Sequence, residues 1–420
     1  MRRPCLVSLA VFWAIGPYLG WPDEAAPLTL TEAYALALKR SETIAIQSEL
    51  IKETEARFLQ SLSGILPRAS FALSEKRQDG TGGSAFTLKE VPERKFVFTQ
   101  PLFSGFKEFA AMAGTRAERR QRVAEKSRAE HLLLVDVADA VHLLLQQRQD
   151  LSALETIRTA LIERIDELQE RERLGRSRPS EVVSAEAQLR RVEAEMELVK
   201  SQGVVSRHLL EFLTGLDAVS AVADPVVPLD DVSDEPFYLA KANGRPDVQA
   251  AEEAWRVAHH EVTIARAKFW PTVSAEGNYY TERVGSAADV DWDVTLTAEV
   301  PLFQGGQTVG AVKEKVSEAR QAKLRFEQAL RRATLEIADA YAELSAAIAR
   351  RAALLKALDA AEQSYRLQTE DYRLNLVNNL DVLEALETLQ DARRDAIGAR
   401  HEAARRYWRL RAATGAPLDQ

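Results

Sequence analysis

The chain has 420 residues, of which 28% are charged and 46% hydrophobic, and a formal net charge of −8 at pH 7. Length alone suggests two or three domains, and the acidic balance, with no basic patch interleaved with aromatics, argues against a nucleic-acid partner. Beyond the N-terminus no run of about 18 apolar residues occurs, which excludes ordinary spanning helices but leaves barrel strands open, since those are only half apolar.

Arg2 and Arg3 precede an apolar run over residues 5–15, and Gly16, Pro17 and Gly20 follow. This pattern predicts a secretory signal peptide over residues 1–20. Cys5 is the only cysteine and lies inside it, so the processed chain is expected to carry no thiol. That suits an oxidising periplasm and rules out thiolate catalysis and disulfide staples. Arg2-Arg3-Pro4 does not resemble a lipoprotein box, and no lipid anchor is expected.

A first structural unit is expected over residues 21–215. Thr31 is the expected cap of its opening helix, and helical spacing runs over 33–64 with a break near Ser41. A β-hairpin follows at about 68–100, turning in the Asp79-Gly80-Thr81-Gly82-Gly83-Ser84 loop, with Phe96 and Phe98 on one face against Lys95, Val97 and Thr99. A long helix over 105–174 and a return helix over 180–213 complete the unit. Residues 216–236, with Pro225, Pro228, Pro236 and several acids, read as an exposed linker or a belt. The second unit, 237–415, is expected to repeat the order: a helix broken at Arg245-Pro246-Asp247, a β-hairpin at about 272–300 turning near Gly285-Ser286, a long helix over 307–374 and a return helix over 381–411. Long helices of about 70 residues would reach roughly 100 Å at about 1.5 Å per residue. Leu324, Leu330, Ile337, Tyr341, Leu344, Ile348, Leu355 and Leu358 give the second one an apolar seam along which neighbours can pack.

The last predicted strand is the cleanest segment in the chain. Val290, Trp292, Val294, Leu296, Ala298 and Val300 fall on one parity, while Asp291, Asp293, Thr295, Thr297 and Glu299 fall on the other. Pro301 then ends the ladder because it has no N–H. In the partner strand Val273, Ala275, Gly277 and Tyr279 are expected to face lipid, and Ser274, Glu276, Asn278 and Tyr280 a lumen. Trp270, Tyr279, Tyr280 and Trp292 are candidates for interfacial girdles or for packing between neighbours. Four strands cannot close a barrel, and open edges do not survive in hydrocarbon. Bacterial single-chain barrels start at eight strands, so several copies must pool theirs.

The strand-to-helix seam occurs twice, as Pro101-Leu102-Phe103-Ser104-Gly105 and, 200 residues later, as Pro301-Leu302-Phe303-Gln304-Gly305. Leu66-Pro67-Arg68-Ala69-Ser70 likewise anticipates Trp270-Pro271-Thr272-Val273-Ser274, and Leu213-Thr214-Gly215 anticipates Ala413-Thr414-Gly415. Residues 174–185 align without a gap on 374–385, so the chain is a tandem duplication. With these seams and the Leu380-Asp381-Val382-Leu383-Glu384-Ala385 run, nearly the whole processed chain resembles the TolC family of outer-membrane factors, the exit ducts of bacterial efflux pumps and type I secretion systems.

The resemblance implies a mainly α fold with a membrane β-barrel. Long helical hairpins would repeat in tandem, with two β-hairpins per chain, and a homotrimer would form a 12-stranded barrel and an α-helical periplasmic tunnel. It also implies location in the outer membrane, contact with its lipid, a periplasmic adaptor (membrane fusion) protein and an inner-membrane transporter of RND, ABC or MFS type. Asp381 and Glu384 share a helix face by spacing and are either acids lining a bore, where stacked rings would favour cations, or a solvated helix start. Resemblance assigns them, with Glu181 and Tyr372, to the periplasmic gate. Relatives carry an arginine in the gate latch where this chain has Val377, so the same ionic lock is not expected. The tips, Leu174, Gly175, Arg176 and Ser177 and Asn375, Leu376, Val377 and Asn378, correspond to adaptor contacts. Asp291, Asp293 and Glu299 are expected to give the barrel lumen a strongly negative field.

No catalytic constellation emerges. The six histidines, His131, His142, His208, His259, His260 and His401, show no metal-ligand spacing, and no phosphate-cradling glycine pattern occurs. No enzyme activity, cofactor or metal is expected. Besides an efflux duct, the readings left open are the outer-membrane component of a type I secretion system and a periplasmic coiled-coil scaffold that spans nothing. The residues do not separate drugs, metal cations and proteins as cargo.

Overall fold

Thr29 starts the first helix. Its hydroxyl accepts the Glu32 amide, and the Glu32 carboxylate accepts the Thr29 amide. This capping box opens α1 (Leu30–Arg40), so the cap is Thr29 and not the expected Thr31, because only Thr29 has a glutamate three residues on. Ser41 recaps the chain and α2 (Glu42–Leu62) follows. The computed structural model describes residues 27–79 and 88–416. The expected signal peptide, Cys5 and the 80–84 part of the first hairpin turn lie outside the described residues.

The order continues with β1 (Arg68–Arg77), β2 (Glu90–Ser104), α3 (Lys107–Arg173), α4 (Pro179–Thr214), α5 (Glu235–Leu239), a 3-10 turn, α6 (Pro246–Ala267), β3 (Thr272–Arg283), β4 (Trp292–Glu299), α7 (Gln307–Arg373) and α8 (Asn379–Ala413). The long helices α3 and α7 have 67 residues each, about 100 Å at about 1.5 Å per residue. Each pairs with its return helix, α4 or α8. The first hairpin touches the second mainly through α3 against α8. Among the described residues no helix is long and apolar enough to cross a membrane.

The strands form one antiparallel sheet in the order β1-β2-β3-β4, with β1 and β4 at open edges. The register sorts the side chains by face. Ala69 opposite Phe98, Phe71 opposite Phe96, Gly277 opposite Val294, Ala275 opposite Leu296 and Tyr279 opposite Trp292 lie on one side. Val97 opposite Asn278, Thr99 opposite Glu276 and Asn278 opposite Asp293 lie on the other. The apolar side is bare: Leu73, Phe98, Trp292, Val294 and Leu296 each expose more than half of their surface.

The two seams differ. β4 stops at Glu299, before Pro301, whereas β2 continues to Ser104, with Pro101 opposite Ser274 and a register shift between Pro101 and Phe103. A bulge absorbs the missing donor of Pro101. Gly105 follows in the left-handed region (φ 67°), and a Cβ there would stand 2.7 Å from the Ala267 carbonyl oxygen, so only glycine fits the turn.

Of the two expectations for the inter-repeat segment, an exposed linker or a belt, its packing fits the belt. Leu28 and Val222 form a parallel bridge, Val219 and Val222 pack against Leu30, Ala33 and Ala37, and Leu229 joins a cluster with Leu344 and Leu410. Its outward residues remain exposed, so it is a belt with a greasy lining. On the other side Arg245 caps α6 while itself fully buried. It grips Asp247 through two 2.7 Å contacts, reaches Glu336 of α7, and donates to the Ala413 carbonyl at the end of α8. Burial raises the Asp247 carboxyl, but the guanidinium outweighs it and holds the group below its usual value.

Candidate gate at the hairpin tips

Both long helices end in the same way. The Arg176 amide bonds the Arg171 carbonyl and the Leu376 amide bonds the Asp371 carbonyl, around Gly175 (φ 71°) and Asn375 (φ 59°). Glycine and asparagine are the residues that enter this left-handed position readily, which is why the turns fall here. Leu174, Gly175, Arg176 and Asn375, Leu376, Asn378 are exposed, and Ser177 and Val377 are half-buried. Pro179 at the first turn of α4 and Asn378 at the cap of α8 start the return helices.

The Asn378 side chain accepts the amides of Leu380 and Asp381, and the Asp381 carboxylate accepts the Asn378 amide at 2.9 Å. Asp381 therefore closes a capping box, and the helix-start reading describes its contacts in one protomer. Glu384, one turn on, is exposed, and no ion pair reaches it among the described residues. Glu181 accepts the Ser177 hydroxyl at 2.6 Å.

Tyr372 is buried where four helices meet. The Arg164 guanidinium of α3 lies 3.7 Å from its ring centroid and that of Arg171 lies 4.5 Å away. Arg164 also donates from Nε to Asn379 Oδ1 at 2.9 Å, Asn379 Nδ2 reaches the Glu181 carbonyl, and Glu167 bonds both arginines. Val377 packs on the same apolar cluster, with Leu168, Val182 and Leu383. The structure thus joins Tyr372 and the Glu181 backbone, while Asp381 and Glu384 stand outside the cluster. Sequence reasoning missed Arg164, Arg171 and Asn379. A signal existed for the first: Arg164 interrupts the stripe formed by Leu154, Ile157, Leu161, Ile165 and Leu168, at a place where an apolar residue fits the spacing.

On the sheet, Asp293 accepts from Asn278 Nδ2 at 2.9 Å and from the Tyr280 hydroxyl at 2.8 Å, and Glu299 lies opposite Thr272. Asp291 accepts the Tyr280 amide through its carbonyl. Register places Arg68, Lys95 and Arg283 on this same face. The face is therefore mixed in charge, which corrects the expectation of a strongly negative field. Tyr280 belongs to it too, with Lys95 and Arg283 over its ring, so it is no part of an interfacial girdle; Tyr279 and Trp292 share the apolar face. Among the described residues no cluster of three or more His, Cys, Asp or Glu can hold a metal.

Comparison with known proteins agrees with this architecture. The family model described as outer membrane efflux protein matches residues 238–416. Nodulation protein T of Rhizobium leguminosarum bv. viciae is 22% identical over 252 residues, covering 57% of this chain and 52% of that protein, so the chain matches about half of its length. The outer membrane protein TolC of Vibrio cholerae is 23% identical over 318 residues, 72% of this chain and 73% of that one. The crystal structure of the outer membrane protein VceC from Vibrio cholerae superposes with a TM-score of 0.81 at 22% identity, covering 93% of this chain and 97% of that one. The second half matches the family model of the outer membrane efflux proteins, the first half repeats its architecture, and the whole chain has the fold of these channels.

Proposed function

We propose that the protein is the exit duct of a tripartite efflux pump, a passive channel that leads substrates from a periplasmic adaptor and an inner-membrane transporter to the outside. The observation that carries this reading is the sheet: four strands with a bare apolar face, a polar face and two open edges, continuous with helices of about 100 Å. In hydrocarbon the open edges need partners, and three copies supply twelve strands, within the range of membrane barrels. Exposed Leu324, Leu335 and Leu355 on α7 and Val205 and Phe212 on α4 then become contacts between protomers.

The tips are the gate in this reading. Asp381 and Glu384, repeated around a threefold axis, ring the mouth and favour cations, while the Arg164–Tyr372 stack pins the second hairpin against the first. The exposed Leu174, Leu376 and neighbouring turn residues receive the adaptor. Single-channel recordings in planar bilayers test the mouth: replacing Asp381 and Glu384 by Ala lowers cation preference. Unchanged selectivity removes both residues from the pore.

A further inference from the structure

At mid-height the α3–α8 contact holds a buried polar pair. His142 of α3 and His401 of α8 are each 1% exposed, and their Nδ1 atoms are 3.3 Å apart. Two imidazole nitrogens this close hold one hydrogen between them, with one donating and the other accepting. His401 Nε2 lies 3.1 Å from Gln149 Oε1, an acceptor, which assigns the His401 hydrogen to Nε2 and leaves its Nδ1 bare. His142 then donates from Nδ1, and its own Nε2 is buried without a hydrogen-bond partner. A further proton has two places to go: His142 Nε2, which faces no acceptor, or His401 Nδ1, which already receives an N–H.

The surrounding charges do not welcome one either. Arg400 and Arg405 stand nearby on α8, Arg351 on α7 lines the same cavity, and Asp224 of the belt is tied to Arg400. Asp230 lines that cavity, Asp139 on α3 is taken by Arg409, and Asp150 lies two turns further along α3 against Arg394. Burial first, then His401 and the arginines, lowers His142 to about 3, and burial with Arg400 lowers His401 to about 4.

We propose that this joint is a proton-linked hinge between the two helical hairpins: parting α3 from α8 at mid-height releases both imidazoles into water and takes up two protons, so mild acid favours the parted arrangement. Both histidines are depressed in the closed joint, so the stability they give is full above the free imidazole value and is lost as pH falls below it. With a free value near 6.5, moving from pH 7.5 to 5.5 raises the parting equilibrium about 100-fold for the two together. Asp150 acts in the opposite sense. Burial raises it to about 6, so the closed joint gains a proton there over the same interval and takes back about fourfold, leaving a net rise of about 25-fold.

Hydrogen exchange of the full chain in detergent, corrected for the intrinsic pH dependence, reads this equilibrium. In the wild type the opening of residues 138–150 and 396–405 rises about 25-fold between pH 7.5 and 5.5, while the apolar cluster around Leu161 and Leu168 stays unchanged. In the His142→Gln, His401→Gln double variant, which keeps polar groups that do not titrate at these positions, the rise disappears and only the roughly fourfold fall from Asp150 remains. Exchange in these helices that is independent of pH in the wild type overturns the proposal, as does a rise that survives in the double variant. Should the double variant not fold, NMR titration of the assigned His142 and His401 resonances of the wild type decides: both silent down to pH 5 supports the hinge, and both titrating near 6.5 in the closed protein refutes it.

Discussion

Arg245→Gln is the sharpest perturbation of the helical frame that carries the proposed gate. Arg245 is 1% exposed and ties α6, α7 and the end of α8 through Asp247, Glu336 and the Ala413 carbonyl. Breaking one side of a buried ion pair costs about 3–5 kcal/mol. Here the Asp247 and Glu336 side chains keep 34% and 33% of their surface in contact with water, and Arg128 and Arg332 remain beside Glu336. The low end, about 3 kcal/mol, therefore applies. The first repeat contains its own control. Arg40 and Glu42 flank the corresponding break at Ser41, but both are exposed at 55% and 71%, and Arg40→Gln should leave the midpoint nearly unmoved. Guanidinium unfolding of the detergent-solubilised protein, followed by helical circular dichroism, measures both. Equal shifts for the two variants would refute the argument that burial of the Arg245 knot sets its weight.

Arg164→Gln and Tyr372→Ala each remove the stack between the hairpin tips, and each is expected to raise the open probability of single channels several-fold; recordings in which both behave as wild type separate this cluster from the gate. On the bare face of the sheet, Leu296→Arg costs about 2–4 kcal/mol if that face meets the bilayer midplane, whereas Thr295→Arg, on the polar face, is tolerated. Yield of the assembled protein in outer-membrane fractions checks the pair. Asp150, raised by burial to about 6, disfavours the closed fold once ionised, so Asp150→Asn should stabilise the protein at pH 8 by up to about 3 kcal/mol and have little effect at pH 4. Unfolding midpoints at the two pH values test the sign.

Local pattern carries the long elements. A stretch without Gly or Pro over residues 311–397 reads as helix, and strict alternation over 290–300 reads as a two-faced strand, because both signals lie within one element. The capping box at Thr29 is legible too, in the glutamate three residues on, a partner that Thr31 lacks. Other features depend on which elements become neighbours. Arg68, Lys95 and Arg283 add positive charge to the polar face only because β1, β2 and β3 pair in this register. The belt is lined with Val219, Val222 and Leu229 because α1, α3, α7 and α8 offer matching apolar surface. His142 and His401 are 259 residues apart and belong to different repeats, and Arg164 meets Tyr372 only once the hairpins stand side by side. Spacing along the chain holds no trace of such pairs.

In the proposed assembly one copy contributes an open section of wall, which several copies close into a duct. Native mass measurement of the processed protein in detergent, followed by insertion of the same preparation into planar lipid, tests it most directly. The expected result is a mass of three copies and discrete conductance steps from that species. A stable single copy that leaves the bilayer silent would contradict it.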